Sequence, residues 1–262
     1  AGAGGGDSAA DAGKAAAEAV ESAIGVEKVD APAPSATYRD VEELDLAYCG
    51  KYAAATAFQV GALCLALGAI DAVTPALASA TPLGGALPKG MLWVFLAFIS
   101  VKSRVFSPLD ARRTRRTFDT VKRPSWAPPG IAFPIIWSTI ALLRATSGTM
   151  VWEALGRTAL AAPLVAFVVH LAIGDLWNAM FTTERRLGAG VVGVLMVWLS
   201  VMTVGSIYYG VAPAAAYVFA PSMAWISVAT CLVTNIWYIN GKEPLYPMKR
   251  VDIDTAEAGV KA

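Results

Sequence analysis

The sequence predicts an all-α membrane protein, and three observations carry that expectation. Hydrophobic residues make up 56% of the chain, charged residues only 16%, and the mean hydropathy is +0.54. A water-soluble domain of 262 residues needs more charge to cover its surface. The apolar residues gather into six runs, at 52–73, 87–105, 131–149, 160–181, 188–209 and 213–239. About 20 helical residues cross about 30 Å of hydrocarbon, and a helix satisfies its own backbone in lipid. Charge is sorted between the runs: residues 1–48 hold ten acidic and three basic groups, residues 102–123 eight basic and two acidic.

The acidic segment 1–48 is rich in Ala and Gly. It offers little apolar surface against the entropy of ordering, so it is expected to be mostly disordered, with a weak helix over 9–24. The chain starts on Ala1 rather than Met. A transit peptide would be Arg- and Ser-rich, the reverse of this composition, so any targeting peptide is expected to have been removed.

The first run is Ala-rich and could span; with its linker it forms a segment, 49–86, ahead of the main bundle at 87–241 and the tail at 242–262. The second run is the weakest, because its core is short and its flanks "LPKG" and "KSR" must snorkel. The segment "KRPSWAPPGIAFPIIW" (residues 122–137) then carries Pro124, Pro128, Pro129 and Pro134. The first three stiffen the loop. The third run starts near Gly130 or Ile131, and Pro134 falls in its first turn, where a missing N–H is tolerated. Within that run Arg144 either reaches Glu153 or snorkels. In the fourth run Phe167, His170, Gly174, Trp177, Asn178 and Phe181 recur at helical spacing and form one face, with Asp175 beside it. The fifth run opens with Gly188, Gly190 and Gly193, which read as close helix packing, since no strand precedes them.

Orientation follows from loop charge. The basic loop, the "TERRLG" turn and the tail "GKEPLYPMKR" fall on one side, the cytosolic or stromal face, and six spans put the acidic N-terminus there too. The basic "RRTRR" at 112–116 reads as a topology signal or anionic-lipid contact rather than a nucleic-acid patch.

Trp126 and Trp152 lie near span boundaries, where an aromatic belt accounts for them. Trp137, Trp177, Trp198 and Trp225 lie inside spans. Core packing explains any one of them, but several indoles on different helices could together line a pocket for a flat ligand. His170 is the only histidine. It reads as a helix-packing residue, a polar ligand contact or an axial ligand to a metallated tetrapyrrole. Cys49, Cys64 and Cys231 fit neither a metal site nor a disulfide framework. No hydrolase triad, phosphate loop or zinc motif occurs, so no catalytic group is assigned. Val233, Tyr238 and Lys242 match a cholesterol-type pattern that is common by chance.

The stretch "PSWAPPGIAFPIIW" resembles the signature of the translocator protein (TspO/MBR) family, also called the peripheral-type benzodiazepine receptor family. The similarity continues through "LAIGDLWNAMF", "LGAGVVGVLMVWL", "VAPAAAYVFAPSMAWISVAT" and "IWYIN", over about residues 90–240. It looks most like the divergent chloroplast branch. The resemblance implies a five-transmembrane-helix bundle, here with an extra N-terminal transmembrane helix, and a pocket for porphyrins, sterols or synthetic aromatic ligands. The loop at 124–129 would be its lid. The ligand-binding residues so implied, together with the interior aromatics, are Trp126, Pro128, Pro129, Phe133, Trp137, His170, Trp177, Asn178, Phe181, Trp225 and Trp237. Some bacterial members are reported to degrade protoporphyrin in light, and Trp126 matches the tryptophan pattern for that. The family usually has Asn where Gly174 stands, an aromatic at Asp175, Pro at Asn178 and Asn at Val233, so the polar lining is expected to be rebuilt.

The expected function is binding or transfer of a tetrapyrrole (a porphyrin, haem or chlorophyll-type ligand) or a related sterol-like lipid. The expected location is a plastid membrane, thylakoid or inner envelope, with the basic loops and C-terminus on the stromal side. The alternative is a structural or assembly subunit of a larger photosynthetic membrane complex. Membrane lipids, a homodimer or such a complex are the expected partners, and nucleic acid is not.

Overall fold

The computed structural model describes residues 26–27, 38–80, 84–109, 113–114 and 121–252. Six long helices follow the six apolar runs: α1 (Leu46–Ala80), α2 (Ala86–Lys102), α3 (Ala132–Ala154), α4 (Ala162–Asn178), α5 (Leu187–Val211) and α6 (Pro213–Ile239). A 3-10 turn, Ser103–Phe106, continues α2, and a π turn, Ala179–Thr183, continues α4. Helices α4 and α6 each begin with a proline in the first turn, where the ring meets no helical acceptor. The weak helix expected over 9–24 and most of the "RRTRR" run lie outside the described residues.

Among the described residues five helices are long and apolar enough to cross a membrane: α1, α2 with its 3-10 turn, α4 with its π turn, α5 and α6. The second run, expected to be the weakest, gains its length from the 3-10 turn to Phe106. Helix α3, expected to be a good span, has the length at 23 residues but is diluted by Arg144 and several hydroxyls. Those groups are not left to lipid. Arg144, Ser147 and Thr149 are buried against neighbouring helices, and Thr139 and Thr146 donate to carbonyls one turn back.

In the bundle α3 packs on α2 and α6, α5 packs on α4 and α6, and α1 lies against α2 and α4. Small residues set the closest approaches. A Cβ on Gly190 would stand 2.7 Å from the Phe181 ring, and one on Gly193 would stand 3.1 Å from the Trp177 indole. The glycine run of the fifth segment is thus helix-packing surface, and the two aromatics of α4 fill the grooves it leaves.

The two ends of the described chain meet in a short sheet. Strands β1 (Val26–Glu27) and β3 (Arg113–Thr114) pair in parallel, and strand β2 (Tyr38–Leu44) pairs antiparallel with β4 (Met248–Asp252), joining the acidic N-terminal segment to the C-terminal tail. Residues 38–48 at the end of the acidic segment thus form β2 and the start of α1. The backbone ladder supplies what its side chains lack, and Asp40 meets Arg250 at 3.2 Å across it. The tail folds back over the start of α5. Glu243 accepts the Gly188 N–H at 2.7 Å, and burial raises its carboxyl above the ordinary 4.5. A Cβ on Gly188 would stand 2.0 Å from the Pro244 carbonyl oxygen, which is backbone and cannot swing away. Gly188→Ala is expected to lift the tail at a cost of about 1–3 kcal/mol. Faster trypsin cleavage at Lys242 and Lys249 would register it; cleavage at the wild-type rate would show that the tail does not depend on this contact.

Candidate functional site

A polar layer crosses the middle of the bundle. Arg144 lies twelve residues into α3, about 18 Å from its start at 1.5 Å per residue. Its side chain turns inward and is 4% exposed. Nε donates to Ser222 Oγ on α6 at 2.8 Å, and Nη2 lies 3.0 Å from His170 Nε2 on α4. Neither expected alternative holds: Arg144 does not snorkel, and Glu153 pairs instead with Lys89 at 2.9 Å. An inward turn wins because an arginine facing hydrocarbon finds no acceptor, whereas this one finds two.

The hydrogen-bond pattern fixes the histidine. A guanidinium has donors only, so His170 Nε2 accepts from Arg144. Ser200 Oγ donates to the Val197 carbonyl at 2.8 Å, so it accepts the proton on His170 Nδ1, also at 2.8 Å. His170 is neutral and both ring nitrogens are engaged. The axial-ligand reading therefore finds no free nitrogen. The polar line Ser222–Arg144–His170–Ser200 ties α6, α3, α4 and α5 together.

Aromatic groups lie along the same helices. Phe133, in the first turn of α3, meets Trp225 edge-on with ring centroids 6.0 Å apart. Trp225 Nε1 is buried without a partner. Phe133, Trp137 and Trp237 are partly buried against the core, and Trp237 Nε1 donates to the Glu243 carbonyl at 2.7 Å. Trp177 and Phe181 stack at 5.7 Å in the α4–α5 contact. Asn178 Oδ1 accepts from Thr182 at 3.0 Å, holding the π turn. Trp152, expected in an interfacial belt, is instead fully buried, with the Arg157 guanidinium 5.8 Å from its ring. Val233 is 3% exposed while Tyr238 is 59% exposed, so the cholesterol-type triplet does not share one surface.

The proline loop is held by a tight turn. The Ala127 N–H donates to the Pro124 carbonyl at 3.0 Å, closing a turn with Trp126 at its third position and 47% exposed. Pro128 is half-buried and Pro129 exposed. The loop is fastened at its start by a residue that the sequence reading left out of the site. Asn240, at the end of α6, accepts the Lys122 N–H and donates to the Lys122 carbonyl, each at 2.9 Å, as a strand partner would.

A second polar cluster lies between α1 and the bundle. Asp175 Oδ2 accepts from Gln59 Nε2 of α1 at 2.8 Å and from Ser103 Oγ at 2.5 Å, and Gln59 also donates to the Ser103 carbonyl at 3.0 Å. Asp175 was expected to rebuild the polar lining of the pocket; its carboxylate instead faces the extra helix. Gln59 carried a legible signal, as the only glutamine in the chain and set within an apolar run. Ser222 carried a weaker one, three residues before Trp225 on the same helix face.

The family model described as "TspO/MBR family" matches residues 92–238, from α2 to the end of α6. Protein CrtK of Rhodobacter capsulatus is 32% identical over 130 residues, 49% of this chain and 81% of its own length. The human translocator protein is 28% identical over 127 residues, 48% of this chain and 75% of its own. The tryptophan-rich sensory protein of Cereibacter sphaeroides is 24% identical over 151 residues, 58% of this chain and 94% of its own. Helix α1 and the β2–β4 pair lie outside the matched region.

Proposed function

The chain belongs to the TspO/MBR family, and on that premise we propose that it binds or transfers a tetrapyrrole, or a related sterol-like lipid, inside the helix bundle beneath the 124–129 loop. The observation that carries the proposal is the Phe133–Trp225 pair, in which a buried indole N–H has no partner. Flat apolar walls with a few placed polar groups are what such ligands select. Trp126, Pro128 and Pro129 form the lid, Trp137 and Trp237 the flanks, and Arg144–His170–Ser222 the polar layer. Trp177, Phe181 and Asn178 then shape the α4 wall through packing. Light-driven porphyrin breakdown would draw on Trp126. We place the protein in a plastid membrane, thylakoid or inner envelope, with the tail and the basic loop on the stromal side; the basic charge on that side supports the orientation.

The test is a spectral titration of purified protein with protoporphyrin and chlorophyll precursors. Saturable binding is expected, weakened about tenfold in Trp126→Ala. Asn240→Ala is expected to weaken it severalfold, because a lid freed at its start has more conformational entropy to lose. Absence of saturable binding, or binding indifferent to both substitutions, would sink the reading.

A second reading, a structural or assembly subunit of a larger membrane complex, draws on α1 and the β2–β4 pair, both outside the family match. Native gels after gentle-detergent extraction discriminate. Migration as a lone chain or homodimer removes its support.

A further inference from the structure

We propose that the ligand of this bundle is an acid, and that its carboxylate is the missing counter-ion of Arg144. The inference rests on the binding role proposed above and specifies its chemistry.

The partners of Arg144 are a serine hydroxyl and a neutral histidine. Neither carries negative charge. Among the described residues no carboxylate pairs with it: Glu153 is taken by Lys89, and Asp175 turns to Gln59 and Ser103. A permanent cation at this depth, 4% exposed, stands without the anion that buried charges ordinarily hold.

A second observation points the same way. Four buried side-chain atoms within α2–α6 have no hydrogen-bond partner: Trp152 Nε1, Trp177 Nε1, Tyr208 OH and Trp225 Nε1. Three are indole N–H groups, which can only donate, and the fourth can donate. Tyr208 is fully buried, and its hydroxyl lies 3.7 Å from where a Cβ on Gly148 would stand, one helical turn from Arg144. The bundle therefore holds donors without acceptors and, in Arg144, a buried cation that meets no carboxylate among the described residues. A hydrocarbon supplies nothing to meet them, and a plain sterol offers one neutral hydroxyl acceptor and no charge. A flat ring system with acidic side chains supplies both, and a carboxylate on a guanidinium forms the stronger, charge-assisted class of hydrogen bond.

Full-length protein in neutral detergent, titrated near neutral pH with protoporphyrin IX and with its dimethyl ester, tests this through tryptophan quenching. The wild type is expected to bind the acid at least about tenfold more tightly than the ester. That comparison needs no variant to fold. In Arg144→Met the acid-to-ester ratio is expected to fall within about twofold, and in Arg144→Lys to keep its direction. Equal affinities in the wild type, or a preference that survives Arg144→Met, overturn the inference. Failure of both compounds to bind overturns the proposed function itself. Binding of oleate that depends on Arg144, where neither porphyrin binds, keeps the counter-ion and overturns the tetrapyrrole.

Discussion

His170→Leu is expected to destabilise the bundle by about 3 kcal/mol, far more than one lost hydrogen bond between membrane helices. Neutral interhelical hydrogen bonds in membranes average only about 0.6 kcal/mol, so the bond to Ser200 contributes little. The effect comes through the charge. Removing the imidazole leaves the Arg144 guanidinium with Ser222 Oγ as its one remaining acceptor among the described residues, and leaving a buried cation short of partners costs about 3–5 kcal/mol. His170→Gln is the control, because a carboxamide can accept from Arg144 and donate to Ser200. Thermal melting in detergent should show Leu well below wild type and Gln close to it. Equal melting of Leu and Gln would mean that Arg144 does not depend on this acceptor. The double variant Arg144→Met with His170→Leu should recover much of the loss, since the stranded charge is gone.

The fold was largely legible because it rests on period and length. Six apolar runs became six helices, and the signature around Pro124–Pro134 located the loop and the start of α3. What misled was averaging along one helix. Helix α3 reads as apolar, yet its function-bearing side holds the residue that dilutes it. Arg144 was visible as an oddity, but a sequence offers only the partners near it along the chain, Glu153 among them. Its true partners come from α4 and α6, 26 and 78 positions away. Trp152 failed for a similar reason: nearness to a span end suggests a belt, but whether an indole faces lipid or protein is decided by a neighbouring helix. Asn240 was matched as a family residue without a role, because its role is to a backbone 118 positions earlier.

Asp175→Leu is expected to loosen α1 from the bundle while leaving α3, α5 and α6 intact. Helix α1 buries Leu63, Leu67 and Ile70, but most of its surface faces outward, as in a helix laid against a finished bundle. In lipid, apolar contact alone gives little preference for protein over hydrocarbon, so the polar clasp must carry much of the docking. Asp175 accepts two hydrogen bonds in that clasp. Bonds to a charged acceptor contribute about 1.5–3 kcal/mol each; the one from Gln59 holds the first half of α1, while Asp71 holds the far end by accepting the Ala159 and Leu160 N–H groups. Amide exchange should rise across residues 52–63 in Asp175→Leu, rise less in Asp175→Asn, and stay unchanged in α5. Wild-type protection of α1 in the Leu variant would refute the clasp. The same logic explains why an acid stands where the family usually has an aromatic. The family match begins at residue 92, after α1. A face of α4 that meets no further helix can present a ring to its surroundings; here that face meets Gln59, and an acceptor serves it better. The departure at 175 is then a consequence of the added helix.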